Sequence, residues 1–230
     1  MSNDIVLSCY LIGKDDPQRR LRWPADNDAT VATWIRSLHS VGLRGVIFHD
    51  GLSPEFCHKW DGFRVEFRMI EWVTPWTAAE ERVAIYRAAI AAEPDWDRIL
   101  MTDLSDVEFH FDPFPLMADR SKLYVGSEVE LLGATILRLW SKAAYGEIKF
   151  PDKPVLNCGI VGGHRAPVMH LLNVWMAEMA LAGIPPPPHD IVAFNRVMYG
   201  LALPYFTGGP LHTAFRKNQG KESGCCIRHK

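Results

Sequence analysis

The feature that most constrains the fold is an alternation of strand-like apolar runs with helical patterns. Residues 4–13 (DIVLSCYLIG) form a continuous apolar run ended by glycine, which is typical of a strand buried on both faces of a parallel sheet. Residues 28–43 then place apolar side chains at helical spacing, with Asp28 or Thr30 as the N-cap. Residues 44–51 form a second apolar run closed by Asp-Gly. A strand, a helix and a strand in succession predict βαβ units and an α/β fold.

The same alternation continues through the rest of the chain. Further strands are predicted over residues 63–71, 98–103 and 153–163. Further helices are predicted over residues 77–93, 126–146, 165–183 and 189–200. Thr77 and Glu80 predict a capping box at the start of the first of these helices. The remaining C-terminal segment is rich in Gly, Lys and Arg and predicts no regular element. We therefore expect a mixed, mostly parallel central sheet flanked by helices.

Length, charge and hydropathy limit the classes of function. A chain of 230 residues that is 48% hydrophobic is long enough for one sizeable core, which predicts a single domain. The net charge of −2, from 25 basic and 27 acidic residues, argues against nucleic acid as a partner, because binding a polyanion requires a basic surface. No apolar run approaches the ~20 residues of a transmembrane segment, and the N-terminus lacks a secretory signal, so a cytoplasmic protein is expected.

The cysteines predict neither a zinc site nor a disulfide framework. They are odd in number, scattered and without a CxxC pair. A strained vicinal disulfide between Cys225 and Cys226 is the one alternative that their spacing leaves open. We expect reduced thiols.

The most informative segment is RILMTDLSDVEFHFDPF, residues 98–114, in which an apolar strand runs directly into two acids. Ionised carboxylates are costly to bury without a partner, so Asp103 and Asp106 need a compensating group. Ligands bind at the carboxyl ends of strands in open α/β sheets. Two carboxylates, with hydroxyls on Thr102 and Ser105 beside them, supply the oxygen ligands that Mg²⁺ or Mn²⁺ prefers.

The residues around the two acids exclude one alternative to this site and leave another open. A calcium loop of the EF-hand type is excluded, because Glu108 and Phe114 stand where that loop needs Gly and Glu. The spacing alone leaves open a structural role, in which Asp103 caps a turn and Asp106 is solvated.

The segment LMTDLSDVEFHFDPF resembles the metal-binding segment of nucleotide-sugar glycosyltransferases with the GT-A fold. Their acidic DxD motif takes a DxxD form in some groups and is followed by an apolar-aromatic stretch and a DPF triplet. Here the acids are Asp103 and Asp106, and the triplet is residues 112–114. Three later segments resemble the family in the same order: VLNCGIVGG (155–163), HDIVAFN (189–195) and IRHK (227–230). The departure from DxD leaves open which carboxylate contacts the metal.

This resemblance implies a single GT-A-like domain and a metal-dependent glycosyltransferase. Such an enzyme uses Mn²⁺ or Mg²⁺ and moves a sugar from a nucleoside diphosphate sugar to a hydroxyl acceptor such as a saccharide. Residues 1–97 would be mainly the nucleotide-binding half, residues 98–215 the metal, sugar and acceptor half, and residues 216–230 a flexible C-terminal lid. Two alternatives remain. One is a nucleotidyltransferase that makes nucleotide sugars, for which the loop LIGKDDPQRR (residues 11–20) would have to bind phosphates. The other is a non-catalytic divalent-ion or glycan-binding module.

The resemblance also implies roles for individual residues. The metal would be held by Asp103, Asp106 and His229. The nucleotide or sugar donor would be contacted by Tyr10, Arg82, Asp103, Asn157, Gly159, Gly163 and Lys230, with the glycines in a strand-to-turn junction. Asp190 is the candidate general base if transfer inverts the anomeric carbon, and it would hold sugar hydroxyls if transfer retains it. Each residue also fits a structural role: packing for Tyr10, a surface ion pair with Glu80 or Glu81 for Arg82, a helix cap for Asp190, and a solvated terminus for His229 and Lys230.

Overall fold

The structure is a computed structural model that describes residues 3–16, 22–72, 74–182, 190–216 and 223–230. The strands, in chain order, are β1 (Ile5–Tyr10), β2 (Gly45–His49), β3 (Val65–Met69), β4 (Arg98–Thr102), β5 (Val107–Phe109), β6 (Leu123–Leu131), β7 (Pro154–His164), β8 (Tyr205–Phe206) and β9 (Ile227–His229). The helices are α1 (Asp28–Ser40), α2 (Pro54–His58), α3 (Ala78–Ala92), α4 (Leu137–Tyr145), α5 (Arg165–Ala182) and α6 (Asp190–Gly200). In the described residues no helix is long and apolar enough to cross a membrane.

A seven-stranded mixed sheet forms the centre of the molecule, which confirms the predicted α/β class. Its strand order is β3-β2-β1-β4-β7-β6-β8. The first four strands in that order are parallel to one another, and β7 runs antiparallel to both of its neighbours. A separate two-stranded sheet pairs β5 with β9.

Helices cover both faces of the sheet, and this accounts for the continuous apolar run in β1. Ile5 and Leu7 pack in one hydrophobic cluster with side chains of α3 and α5, whereas Val6 and Tyr10 pack in a second cluster with side chains of α1. Alternate side chains of a strand point to opposite faces of its sheet. A strand with helices on both sides must therefore be apolar at every position, as this one nearly is.

The helix starts follow local capping chemistry. Asn27 is the N-cap of α1, because its side chain accepts a hydrogen bond from the Ala29 amide at 3.0 Å; the prediction of Asp28 or Thr30 was off by one to three positions. The capping box predicted at the start of α3 is present.

The helix predicted over residues 126–146 is wrong in its first part, where the chain forms β6 instead. A Cβ on Gly126 would lie 2.6 Å from the carbonyl oxygen of Asn157, so glycine is what allows β6 to run this close to β7. Register shifts follow Val125 and Ser127, and strand pairing here overrides the helix propensity of the segment. Residues 128–131 (EVEL) alternate polar and apolar, which is the strand signal that the prediction missed.

The strand-to-turn junction predicted for the glycines of residues 153–163 is also wrong, because β7 continues through all of them to His164. Gly162 and Gly163 pair with Leu100 and Ile99 of β4, respectively. A Cβ on Gly162 would lie 2.7 Å from the Ile99 carbonyl oxygen, so this glycine allows close strand contact rather than a turn.

The C-terminal residues form a strand that the sequence did not predict. β9 pairs antiparallel with β5 and places His229 opposite Val107. The expectation of a flexible lid over residues 216–230 is therefore wrong for residues 227–229, and residues 217–222 lie outside the described residues, as does the predicted helix start at residue 189. The five cysteines are free thiols, as expected.

The strand order reverses between β1 and β4. β1 connects through α1 to β2 on one side, whereas β3 connects through α3 to β4 on the other side of β1. In open α/β sheets, the crevice beyond the carboxyl ends of two such strands is where ligands bind. Tyr10 and Thr102 end these two strands, and Asp103 follows the second.

Candidate metal and ligand site

A cavity of about 710 Å³ opens at this reversal point. Of the residues predicted for the site, it is lined by Tyr10, Arg82, Asp103, Asp106, Asn157, Gly159 and Asp190. The structure therefore brings together side chains from the N-terminal and C-terminal halves of the chain at the edge of the sheet where the sequence placed the site.

Three candidate metal ligands converge beside this cavity. One ligand atom from each of Asp103, Asp106 and His229 lies within 4.8 Å of the other two. His229 Nε2 is 3.8 Å from Asp103 Oδ2 and 4.0 Å from Asp106 Oδ1, which is too long for hydrogen bonds. Two carboxylates and an imidazole form a donor set that suits Mn²⁺.

The burial of the His229 ring tests whether these residues fit a metal. Its side chain is 1% exposed, yet neither ring nitrogen has a hydrogen-bond partner among the described residues. A buried, unpaired polar group costs free energy, and the few that native structures keep need a specific reason. Coordination of a divalent ion would give one of these nitrogens a partner. The residues present therefore fit a metal.

Strand pairing positions the imidazole. The His229 amide donates to Thr213 Oγ1 at 3.0 Å, and the Phe215 ring packs against the imidazole with centroids 4.6 Å apart. One residue on, the Lys230 amide donates to the Asp106 carbonyl oxygen at 2.9 Å. The docking of β9 thus fixes His229 opposite the acidic loop, and the interpretation of His229 as part of a solvated terminus is wrong.

Gly159 leaves the space in which the cluster forms. A Cβ at this position would lie 2.3 Å from Asp103 Oδ2, 2.7 Å from His229 Cε1 and 2.9 Å from Asn157 Oδ1. The Gly159 carbonyl oxygen accepts from the Asp103 amide at 2.8 Å, so β7 holds the acidic loop in place as well. Any side chain here would displace the candidate ligands.

Arg82 forms a buried ionic bridge in the floor of the cavity. Its guanidinium donates to Asp103 Oδ1, to Asp190 Oδ2 at 3.1 Å and to Cys158 Sγ at 3.3 Å. Burial alone would raise the pKa of Asp103, but Arg82 and then His229 outweigh it and hold that pKa well below its usual range. The surface ion pair considered for Arg82 is wrong, because its partners are these two acids.

Glu128 is a site residue that the sequence analysis missed, because the segment was assigned to a helix. It lies on β6, lines the cavity, and accepts a hydrogen bond from Asn157 Nδ2 at 2.9 Å. Burial raises the pKa of this carboxyl above its usual value. Asn157 in turn accepts from the Gly159 amide at 2.7 Å through its side-chain oxygen, so its side-chain amide links Glu128 to Gly159, whose carbonyl oxygen binds the Asp103 amide.

Arg216 is a second missed residue. It lines the cavity, stacks over Phe215 at 5.0 Å, and forms no ion pair within the described parts of the chain. Nothing in its sequence context singled it out.

Of three further residues predicted to bind the donor, Tyr10 lines the cavity and Lys230 and Gly163 do not. The Tyr10 hydroxyl already donates to the Pro24 carbonyl oxygen, at 2.5 Å, and its ring is buried, so the residue has a structural role at the cavity wall. Lys230 Nζ lies 3.3 Å from a Glu108 oxygen, and the residue does not line the cavity.

Gly163, the third of these residues, is at the far end of β7 from the site. It lies four residues beyond Gly159, which corresponds to roughly 13 Å along a strand. It does not line the cavity. Its prediction as a donor-binding residue depended on the turn that the structure lacks.

Comparisons with known proteins leave the family of this chain open. No family model matches the sequence, and a search of the curated proteins found no match.

Proposed function

We propose that this protein is a metal-dependent glycosyltransferase that uses a nucleoside diphosphate sugar as donor and a hydroxyl compound, such as a saccharide, as acceptor. The observation that carries the proposal is the Asp103, Asp106 and His229 cluster beside a cavity at the reversal point of the sheet. The resemblance of residues 98–114 to the metal-binding segment of GT-A enzymes supports the same function.

The cavity offers the groups that this chemistry needs. Glycosyl transfer releases a diphosphate on which negative charge grows, and donors of positive charge at its oxygens stabilise that charge. A divalent ion held by Asp103, Asp106 and His229 would supply part of this charge when bound. Among the described residues that line the cavity, Arg216 would supply the rest, since the other cation, Arg82, is paired with carboxylates. Asp190, beside Arg82 in the cavity lining, has a buried Oδ1 without a hydrogen-bond partner in the described structure, and this oxygen would accept a hydrogen bond from a sugar hydroxyl.

The structure gives less support to the nucleotidyltransferase alternative. That function needs a basic loop after β1 whose cations reach phosphates. Lys14 of this loop is instead buried, with Nζ bonded to Glu81 Oε2 at 2.7 Å and to the Thr74 and Trp76 carbonyl oxygens. Residues 17–21 of the same loop lie outside the described residues.

Metal binding is tested apart from catalysis. Asp106→Asn is preferred to a change at Asp103, because Asp103 also pairs with Arg82. In the wild type we expect Mn²⁺ to raise the melting temperature and to give a one-site isotherm in calorimetry. Asp106→Asn should weaken Mn²⁺ affinity at least tenfold, whereas Asp61→Asn, a change at an exposed acid that pairs with His58, should not change it. Equal Mn²⁺ affinities in all three proteins would refute the site.

The activity is tested by the release of UDP or GDP from a panel of nucleotide sugars, with Mn²⁺ and a set of mono- and disaccharide acceptors. Wild type should release nucleoside diphosphate, and Asp106→Asn should release much less. Release of pyrophosphate from nucleoside triphosphate and sugar phosphate would favour the nucleotidyltransferase. Sugar binding without turnover of any donor would favour the non-catalytic module.

A further inference from the structure

Besides Asp16 and the exposed Glu130, four carboxylates line the cavity, and their contacts divide them into two groups. Asp103 and Asp190 are bound by the buried guanidinium of Arg82, and Asp103 and Asp106 face His229. Glu128 is bound only by a neutral amide, that of Asn157, and forms no ion pair in the described parts of the chain. It is therefore a cavity carboxylate that can take up a proton without breaking an ion pair.

The position of Glu128 is built into the sheet. Gly126 brings β6 against Asn157, and the register shift after Ser127 sets the direction of the strand that follows. The Phe215 amide donates to the Ser127 carbonyl oxygen at 2.9 Å, so the chain segment that carries Arg216 is held against the same strand. These contacts hold the backbone just before Glu128, and the hydrogen bond from Asn157 Nδ2 orients its carboxylate.

From this geometry we infer, building on the proposed glycosyltransferase function, that Glu128 is the general base that deprotonates the acceptor hydroxyl, and that transfer inverts the anomeric carbon. The proton of the acceptor O–H moves to the Glu128 carboxylate. The acceptor oxygen forms a bond to the anomeric carbon as the bond from that carbon to the phosphate oxygen breaks. The electron pair of the broken bond leaves on the nucleoside diphosphate.

The electrostatics around Glu128 agree with this role. Its pKa is raised by burial and by Glu130, while Asn157, Arg216 and His229 act in the opposite direction. A base works best when its pKa lies nearer the working pH than that of an ordinary carboxyl group.

Asp190, the base predicted from the sequence, is less well placed. Its Oδ2 accepts from Arg82 at 3.1 Å and from the Cys158 thiol at 3.6 Å. Protonation of this carboxylate would weaken its ion pair with a buried cation, which is costly. Its contacts suit a fixed anion that orients donor and arginine.

The test uses an isosteric variant and a nucleophile that needs no base. With a donor and acceptor pair that the wild type uses, Glu128→Gln should lower kcat at least about 100-fold, with little change in the KM for the donor or in Mn²⁺ affinity. Glu55→Gln, the same change at an exposed position on α2, should behave as wild type. Azide carries no proton to remove, so it should restore nucleoside diphosphate release in Glu128→Ala and yield a glycosyl azide of inverted configuration.

The outcomes separate this inference from the proposed function. Wild-type protein that releases no nucleoside diphosphate from any donor would refute both. An active wild type whose product retains the donor's anomeric configuration in NMR spectra would refute the role of Glu128 alone. The same conclusion would follow if Glu128→Gln kept full kcat, if it lost Mn²⁺ affinity, or if azide failed to rescue Glu128→Ala.

Discussion

The buried bridge formed by Arg82 predicts a large and specific loss of stability when the arginine is removed. In Arg82→Met, the side chain keeps its apolar stem, but Asp103 and Asp190 lose the cation that they share. Removing one partner of a buried ion pair costs about 3–5 kcal/mol. The Asp190 side chain is 3% exposed, so its unpaired charge has the full cost of burial, whereas the Asp103 side chain is 31% exposed and stays partly solvated. We therefore expect a loss near the lower limit, about 3 kcal/mol.

Urea unfolding followed by circular dichroism measures this loss. With an m value of roughly 2–3 kcal/mol/M, a destabilisation of about 3 kcal/mol lowers the midpoint by about 1–1.5 M. The double variant Arg82→Met/Asp190→Asn removes one of the uncompensated charges and should recover about 1–2 kcal/mol. Arg87→Met serves as the matched control, because Arg87 lies on the exposed side of α3 and contacts Asn173. Its cost should stay below about 0.5 kcal/mol. A loss below about 1 kcal/mol in Arg82→Met, or no recovery in the double variant, would refute the bridge.

Three further substitutions test other parts of the structure by urea unfolding. Gly162→Ala should cost about 1–3 kcal/mol, because the new methyl group would press on the Ile99 carbonyl oxygen; an unchanged midpoint would show that β4 and β7 are not in close contact. Asn27→Ala should cost about 1 kcal/mol through the loss of the α1 cap, and a neutral result would show that another group caps the helix. Burial lowers the pKa of His49, whose Nδ1 accepts a hydrogen bond from the Leu52 amide. As the pH falls, the unfolded chain therefore binds a proton at this histidine before the folded chain does. The free energy of unfolding should then decrease as the pH drops below about 6.5. The fall between pH 7 and pH 5 should be shallower in His49→Asn, and equal slopes in the two proteins would contradict this account.

The sequence predicted correctly those helices and strands whose apolar pattern reflects which of their faces are covered by other elements. The run in β1 is apolar because helices cover both faces, so pattern and structure have the same cause. The element boundaries that were predicted wrongly depend instead on backbone contacts between residues far apart in the sequence. Gly126 and Gly162 mark places where two strands approach closely, and in a single sequence the same residues are equally consistent with a turn. A glycine in a single sequence therefore does not show whether it allows a turn or a close approach of two strands.

The sequence predicted the part of the candidate site that lies within a single segment. The acids at residues 103 and 106 follow a strand, and their place at the sheet edge follows from that alone. The partners of Arg82 depend on how the fold brings α6 and the loop after β4 to α3. The position of Arg216 follows the packing of Phe215 on His229 of β9, a strand that no local pattern indicated. Glu128 was missed for a simpler reason, since its alternating neighbours were assigned to a helix.

The pairing of β5 with β9 ties the proposed ion site to the cooperativity of folding. Two of its ligands stand at positions 103 and 106 and the third at position 229, so the coordination sphere closes a loop of more than half the chain. An ion bound there would act as a reversible cross-link whose ligands are scattered once the protein unfolds. Its concentration would then set the unfolding equilibrium by mass action, and a peptide spanning only the acidic segment would have little affinity for it.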